Sequence, residues 1–414
     1  MTTPPGSAGL PIVGDKSLEF YKDAIGFVDR NIAHNKSRIF LSRLLSKPTV
    51  FVSSNKGVKE LLEDKAMNCD LGYKAFMYEI YGDNILFTDG INSVVLREIL
   101  HNLFSAESVA SYQESIQRLT SRALEDLHSR SPVNVYKFFK RLTTEICLSV
   151  FLDIDFQTAQ ELSSQICELT TTHWHGIISV PVSIKMPMMS SFTYGKALEA
   201  KAQLLKIIQD KLKDTTTSGF PQKIQNARFP HANLAHNHLL LFTSALVPKA
   251  LASLLTSFVI AVKKDDFDKA NCGSTFLDCL LLEVQRLYPP FVAGRRLVRK
   301  DCVVDGYKLH KGQAAMYMTR QAQRDPQAFT KPEEFLPQRW INAEKDERKK
   351  LFCFGAGPRC CIGQNFIWNI LRTITQSLLR KYTWNIPEGQ DLSFKWLPVS
   401  RPSHDVLANF VERS

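Results

Sequence analysis

The chain has 414 residues, of which 44% are hydrophobic and 22% charged, a composition that excludes disordered, collagen-like and coiled-coil proteins. Its 52 lysines and arginines against 41 aspartates and glutamates give a net charge of +11, which suits an acidic protein, an anionic membrane surface or nucleic acid without choosing among them. Nine scattered cysteines are too sparse for a disulfide framework, and the lack of a CxxC pair argues against a structural zinc site.

The N-terminal part of the chain combines turn-forming residues with two short β-rich runs. These runs, at 38–41 and 49–52, predict a hairpin or two edge strands. From about residue 55 apolar residues recur at i, i+3 and i+4, the spacing of amphipathic helices. The predicted helices cover 55–66, 92–103, 108–128, 133–152, 156–174 and 194–213.

The middle of the chain contains a predicted loop and then a long apolar stretch. The loop covers 214–233 and is rich in Thr, Ser, Gly, Pro and Asn, whereas 239–262 is almost entirely apolar. The apolar stretch is long enough to cross a bilayer, but Pro248 and Lys249 near its centre would be costly in lipid. We therefore predict a long buried helix with a kink at the proline.

The last third of the chain returns to short strands and one more long helix. A helix over 274–287 is expected to end at the following Tyr-Pro-Pro, because proline disfavours helix in the residue before it. Strand-like runs follow, and the final predicted helix covers 362–380. The fold class is therefore mainly α with minor β-sheet, as one domain over 1–414. Its parts are an N-terminal entry and sheet (about 1–54), a helical bulk (about 55–290) and a C-terminal part (about 291–414).

The most informative motif is the loop before the final helix. It fits the pattern F-x-x-G-x-R-x-C-x-G with Cys361 in the cysteine position. Glycines let a backbone approach a flat cofactor closely, and a helix N-terminus stabilises a thiolate. A thiolate can ligate haem iron, and an arginine can pair with a haem carboxylate. The remaining motif residues are Phe354, Gly357, Arg359 and Gly363.

This loop resembles the haem-binding loop of the cytochrome P450 family. The resemblance implies haem b as cofactor, with Cys361 as the metal ligand and Arg359 paired with a haem carboxylate. Two further arginines, Arg97 and Arg296, are candidates for the same role. Ser93 stands where the family has a tryptophan that also contacts haem, so one donor of the family is absent. The C-terminal part is thus expected to bind haem.

A second motif of the family, E-x-x-R, lies at Glu283 and Arg286. Their i, i+3 spacing puts both charges on one helix face, and the surrounding leucines predict that they are buried. Buried charges need further partners. The family supplies one from a downstream arginine, and the segment F-L-P-Q-R-W places Arg339 in that position.

The apolar helix departs from the family at the expected distal side of the haem. Oxygen-activating members carry an acid and an alcohol there, which deliver protons, but spacing from Glu283 puts Val247 and Pro248 in those positions. No aspartate or glutamate occurs between His231 and Lys263. The proton relay is therefore expected to be absent, unless Thr243 or Ser244 substitutes in a shifted register, and the pattern resembles haem-thiolate enzymes that use a peroxide. The candidate catalytic residues are Ser244, Ala245, Val247, Pro248 and Lys249.

The favoured function is therefore a haem-thiolate oxidoreductase that converts a lipid hydroperoxide without a reductase, as an isomerase, lyase, epoxyalcohol-forming enzyme or peroxygenase. The compact cysteine loop differs from the enlarged loop of the plant-type isomerases. Val247 differs from the arginine of the peroxygenases, and Lys249 is the candidate for that cation instead. The alternative is a monooxygenase that hydroxylates a lipid, sterol or terpenoid with oxygen, NADPH and a partner reductase. A second alternative is a haem sensor or carrier without catalysis.

The expected partners are lipophilic small molecules and not nucleic acid. An apolar loop over 176–189 would join the lid helices of the family and is a candidate for peripheral membrane contact. Because Met1 leads directly into Thr-Thr-Pro-Pro-Gly, we expect no transmembrane anchor in this chain. The expected location is the cytoplasm or the surface of a membrane.

Overall fold

The computed structural model describes residues 2–11, 13–125, 127–178, 193–214, 218–244, 246–262 and 274–413. The chain divides into two compact units, each built from separated segments. The first consists of Met1–Ala75, Leu282–Cys361 and Lys395–Ser400, and the second of Phe76–Leu281, Ile362–Phe394 and Arg401–Ser414. The single domain over 1–414 stays a prediction.

Helices dominate the described residues, and the strands are short. The helices are, in chain order, α1 (Ser17–Lys22), α2 (Ala24–Asn35), α3 (Asn55–Leu62), α4 (Lys74–Tyr81), α5 (Gly90–Leu103), α6 (Ala106–Ser111), α7 (Gln113–Leu124), α8 (Val135–Leu152), α9 (Gln160–Ile178), α10 (Thr193–Lys213), α11 (Gly219–Asn226), α12 (Ala232–Thr243), α13 (Leu246–Ala261), α14 (Ser274–Leu287), α15 (Thr319–Ala322), α16 (Lys345–Arg348) and α17 (Gln364–Lys381). The strands are β1 (Ile39–Leu44), β2 (Lys47–Val52), β3 (Cys69–Leu71), β4 (Val133–Asn134), β5 (Gly294–Val298), β6 (Cys302–Val304), β7 (Tyr307–Leu309), β8 (Ala314–Tyr317), β9 (Tyr382–Asn385), β10 (Phe394–Lys395), β11 (Arg401–Pro402) and β12 (Leu407–Glu412).

The first unit is organised around a five-stranded sheet of order β1-β2-β8-β5-β3. Strands β1 and β2 form an antiparallel hairpin in which Leu44 pairs with Lys47, so the hairpin expected from the sequence is confirmed. The phenylalanines of α1 and α2 pack on one face of this hairpin, where Phe27 lies 5.5 Å from Phe51 between ring centroids. These aromatic contacts fix both helices against the sheet.

The second unit is a helical assembly with a small sheet, β4-β12-β9. Helix α8 packs against α7, α12 and α13, and α9 packs against α10. Five phenylalanines from five different helices or their ends meet in one cluster, which buries the centre of this assembly. They are Phe104, Phe151, Phe220, Phe242 and Phe366.

The predicted loop over 214–233 contains a helix. The prediction of a loop is therefore wrong for the central part of this segment. Helix α11 begins at Gly219 and buries Phe220, Pro221 and Ile224. Proline is compatible with a helix in its first turn, where its missing N–H would have no partner in any case. The turn-forming composition of this stretch concealed its short apolar face, which packs into the phenylalanine cluster.

The predicted single helix over 239–262 is also wrong, because the structure has two helices there. Helix α12 ends at Thr243, Ser244 has extended backbone (φ −63°, ψ 165°), and α13 begins at Leu246. Pro248 is therefore not a kink inside a long helix. It lies in the first turn of a new one, where it breaks no backbone hydrogen bond.

Among the described residues, one apolar stretch is long and hydrophobic enough to cross a membrane, Ala232–Ala261. In its most apolar window 82% of the residues are buried inside the protein. This burial fits the expected core segment. The candidate membrane loop over 176–189 lies, from residue 179 onward, outside the described residues.

Candidate functional site

The cysteine loop is a tight turn held by its own backbone. The amide of Gly355 donates to the carbonyl of Phe352 (2.9 Å), and the amide of Cys361 donates to the carbonyl of Phe354 (2.7 Å). A short 3₁₀ turn, Gly357–Arg359, lies between them. Helix α17 follows with Gly363 as its N-cap residue. The loop therefore presents the exposed side chain of Cys361 immediately before a helix N-terminus, the position that stabilises a thiolate.

Two glycines of this loop have left-handed backbone, with φ +71° at Gly355 and +64° at Gly357. Residues with a Cβ rarely adopt this conformation. At Gly357 a Cβ would also collide with the carbonyl oxygen of Leu62. The glycine is therefore required both by the turn and by the close approach of the loop to the end of α3.

Arg359 and Arg296 belong to the same compact unit as the cysteine loop. Arg359 is partly buried and donates from Nη1 to the carbonyl of Ala66 (3.3 Å). Arg296 is 4% exposed, and its guanidinium lies 5.1 Å from the centre of the Tyr317 ring. Its Nη1 donates to the carbonyl of Arg295 (2.9 Å), and the ionisable groups that act on its charge are Tyr317, Tyr73 and Cys69, none of them a carboxylate. A buried cation in such surroundings suits an anionic carboxylate.

These features fit a haem group. The loop offers a thiolate donor, its glycines allow close approach, and Arg296 offers a buried positive charge to a haem carboxylate. Arg97, the remaining candidate, lies in the second unit on α5, one turn after the buried Ser93. The structure thus brings Cys361, Arg359 and Arg296 into one unit and leaves Arg97 in the other.

Glu283 and its two arginines meet in the first unit. The carboxylate accepts from Nε (2.9 Å) and Nη2 (2.8 Å) of Arg286, so this pair is bidentate. Arg339 donates from Nε to Oε1 of Glu283 (3.2 Å). Both members of the i, i+3 pair are completely buried. Such a pair needs all of its remaining hydrogen-bonding positions satisfied.

The missing partners are supplied by groups that sequence reasoning did not find. Trp340 donates from its indole Nε1 to Oε2 of Glu283 (2.8 Å), and the amide of Leu336 donates to Oε1 (2.9 Å). Arg286 donates further to the carbonyls of Gln323, Pro332 and Glu334. The signal for Trp340 was present, because it directly follows Arg339 in F-L-P-Q-R-W.

Gln323 connects this network to the cysteine loop. Its side-chain amide donates to the carbonyls of Gln285 (2.9 Å) and Arg286 (3.0 Å). Its oxygen accepts from the amide of Phe352 (2.6 Å), the residue whose carbonyl starts the loop's turn. Gln323 thus ties the end of α14 to the start of the loop.

The candidate distal residues lie in the second unit, around the junction of α12 and α13. The carbonyl of Pro248 accepts from Oγ1 of Thr143 on α8 (3.0 Å), and Val247 is half-buried. Ser244 is buried and donates from its hydroxyl to Tyr81 (3.3 Å), a partner the sequence did not reveal. Ala245 lies outside the described residues.

Lys249 packs against an aromatic ring instead of a polar neighbour. Its Nζ lies 4.2 Å from the centre of the Trp174 ring. Burial, together with the positive charges of Lys140 and Arg401, lowers the pKa of Lys249 to about 6. The amine is therefore mostly neutral at neutral pH, so the cation expected at this position exists only in mild acid.

Comparisons with known proteins identify the family. The family model described as "Cytochrome P450" matches residues 4–237 and 274–404, which is most of the chain. The chain therefore belongs to the cytochrome P450 family, whose cofactor is haem with a cysteine thiolate as axial ligand. The match leaves out 238–273, the range that contains α13.

Individual relatives are distant in sequence but match nearly the whole chain. Cytochrome P450 26B1 of Danio rerio is 23% identical over 98% of this chain and 86% of its own length. The structure is similar to retinoic acid bound cyanobacterial CYP120A1 (TM-score 0.87, 23% identity, all of both chains covered). It is also similar to cytochrome P450EX alpha (CYP152N1) with myristic acid (TM-score 0.80, 17% identity, all of both chains covered). The predicted fold class is thereby confirmed.

Proposed function

We propose that this cytochrome P450 converts a lipid hydroperoxide without a reductase, with Cys361 as the haem ligand. Haem with an axial thiolate supplies the chemistry that cleaves an O–O bond. The observation that carries the proposal is the lack of a proton relay. Val247 and Pro248 occupy the positions of the family's acid and alcohol, and the sequence has no carboxylate between His231 and Lys263.

The hydroxyl groups near this junction are already engaged, which supports the proposal. Thr243 donates from Oγ1 to the carbonyl of Leu239 (2.7 Å), and Thr143 donates to the carbonyls of Phe139 and Pro248. Burial raises the pKa of Tyr81, so its phenol stays protonated and is a poor acid. None of these groups offers the acidic proton that an oxygen-activating site delivers.

The substrate class is proposed to be a fatty-acid-like lipid. Support comes from the apolar residues of α13 and from two similar structures whose titles name retinoic acid and myristic acid as their ligands. The mostly neutral Lys249 argues against a fixed cation for the lipid carboxylate at its position. We therefore propose that the apolar chain, more than the carboxylate, determines binding.

The conventional monooxygenase is the second candidate. The family match and the intact buried network around Glu283 are compatible with it, since both belong to the family as a whole. In that case a reductase would be a partner. The two candidates differ in one respect that can be measured, namely whether NADPH-driven turnover is limited by the missing relay.

The test restores the relay in the Val247→Glu/Pro248→Thr double variant. Under the proposal, wild-type protein with NADPH, oxygen and a reductase oxidises a fatty acid slowly and loses most electrons as hydrogen peroxide. The double variant should form the hydroxylated product faster and with fewer electrons lost. The increase in rate should approach the factor of about 10²–10⁴ that general acid catalysis contributes. Val247→Ala/Pro248→Ala is the matched control and should not gain. Fast, tightly coupled hydroxylation by the wild type would contradict the proposal and support the monooxygenase.

A further inference from the structure

Two cysteines of the first unit, which the sequence separates by more than two hundred positions, lie side by side. Cys69 is the first residue of β3 and Cys302 the first residue of β6. Their thiols are hydrogen-bonded to each other, and they are only 1% and 8% exposed. Both belong to one apolar cluster around the sheet. Both cysteines are free thiols, and a hydrogen bond between them places the two sulfur atoms next to each other.

The charges around this pair are asymmetric. Cys69 faces the guanidinium groups of Arg296 and Arg359, whereas Cys302 faces Lys65 and Asp301. The hydrogen bond between the thiols lowers the pKa of Cys302 and raises that of Cys69, and burial raises both. Cys302 is therefore the sulfur that ionises first and the better nucleophile toward an oxidant.

The backbone links the pair to one of the residues proposed to hold a haem carboxylate. Strands β3 and β5 pair antiparallel, with Cys69 opposite Val298 and Leu71 opposite Arg296. Cys69 therefore lies on the strand that pairs directly with the strand carrying Arg296. The positive charge of Arg359 in the cysteine loop also acts on the Cys69 thiol.

We propose that Cys69 and Cys302 form a peroxide-sensitive thiol pair that closes to a disulfide beside Arg296 and Arg359. The thiolate of Cys302 attacks one oxygen of hydrogen peroxide, so the O–O bond breaks, Cys302 becomes a sulfenic acid and hydroxide leaves. The sulfur of Cys69 then attacks the sulfenic sulfur and displaces hydroxide, which leaves as water after taking up a proton. Two electrons pass from the two thiols to the peroxide. The proposal does not depend on the nature of the enzyme's substrate.

The test oxidises the haem-loaded protein and maps its cysteines. One sample receives hydrogen peroxide and a second receives diamide, which oxidises neighbouring thiols without reacting as a peroxide with haem. After blocking with iodoacetamide in denaturant, both samples should contain one linked peptide pair that joins Cys69 to Cys302. The mass of the linked pair should be about 2 Da below the summed mass of the two peptides with free thiols, because two hydrogens are lost. Dithiothreitol should separate the two peptides. The reduced CO spectrum should keep its thiolate band, which shows that Cys361 is not the site.

Three variants make the result decisive. Cys69→Ser should stop the reaction at a sulfenic acid on Cys302 that dimedone traps, and Cys302→Ser should abolish the reaction with peroxide. Cys147→Ser, which removes another buried thiol from α8, should still form the linked pair. Failure of both oxidants to link the two cysteines, or linkage by diamide alone, would overturn the proposal. So would a dimedone adduct on Cys69 instead of Cys302.

Discussion

The indole Nε1 of Trp340 donates a 2.8 Å hydrogen bond to Oε2 of Glu283, a carboxylate with no exposed surface. The same oxygen accepts from Arg286, and the other oxygen accepts from Arg286, Arg339 and the amide of Leu336. The carboxylate therefore receives five hydrogen bonds, which compensate its removal from water. This network lies in the unit that contains the cysteine loop.

Replacement of Trp340 by phenylalanine should remove the hydrogen bond to Glu283 and leave a smaller aromatic ring in the same buried place. Because the acceptor is charged and buried, we expect a loss of about 1.5–3 kcal/mol in the free energy of unfolding. Urea unfolding followed by circular dichroism measures this loss. Trp368→Phe on α17, whose ring contacts Arg372 instead of a carboxylate, is the control and should cost less. Equal losses in the two variants would contradict the importance assigned to the bond.

Arg286→Ala should be much more damaging, because it leaves Glu283 buried without its bidentate partner. Removing one member of a buried charge pair costs about 3–5 kcal/mol. We expect insoluble or haem-free protein, measured as the ratio of haem absorbance to protein. Arg372→Ala, which breaks the more exposed pair with Asp278, should leave haem content unchanged. Normal haem content and melting of Arg286→Ala would be incompatible with a structural role for the network.

Gly357→Ala tests the fit of the cysteine loop. The backbone there is left-handed, and an added Cβ would collide with the carbonyl of Leu62. Strain of this kind costs about 1–3 kcal/mol, so haem retention and melting temperature should both fall. Gly389→Ala is the matched control, because Gly389 is also left-handed (φ +82°) but has no heavy atom within 4 Å of the added Cβ. If both variants behave alike, the collision does not matter.

Lys249 predicts a pH dependence of stability. Its pKa is lowered from 10.5 to about 6, so between these values the unfolded chain binds more protons than the folded one. The contribution of this site to the free energy of unfolding therefore rises with pH across that window and falls as the solution is acidified toward pH 6. Lys249→Met should flatten the slope of stability against pH. Lys140→Met should raise the pKa of Lys249 in the folded protein, because the charge of Lys140 helps to lower it. The pH range over which stability rises should then begin at a higher pH. An unchanged slope in Lys249→Met would contradict the lowered pKa.

The parts of the fold that the sequence predicted are those controlled by local pattern. The hairpin β1–β2 and the helix after the cysteine loop follow from strand alternation, helical spacing and glycine turns. Helix α11 was missed because its apolar face is only three residues wide, so its stability comes from packing into a distant phenylalanine cluster. The end of α12 at Thr243 was missed because the surrounding sequence remains apolar across it.

The functional site also combines residues that local motifs predicted with residues that only long-range contacts bring in. The arginines of the charge network were expected from their motifs, whereas Trp340 and Gln323 contribute through contacts 57 and 38 positions away in sequence. Tyr81 and Ser244 meet across 163 positions, and no local pattern connects them. The contact of Cys69 with Cys302 also joins two separate strands, so no cysteine motif indicated it. Long-range pairs of single residues leave no periodic signal.

The most direct test of the account is the consumption of a fatty-acid hydroperoxide by the haem-loaded protein without oxygen, NADPH or a reductase. We expect rapid loss of the hydroperoxide and formation of a rearranged, cleaved or epoxyalcohol product, or of the alcohol together with an oxidised second lipid. The Cys361→Ser variant should lose this activity with its thiolate ligand. No consumption under these conditions, together with fast and tightly coupled hydroxylation when oxygen, NADPH and a reductase are supplied, would contradict the account.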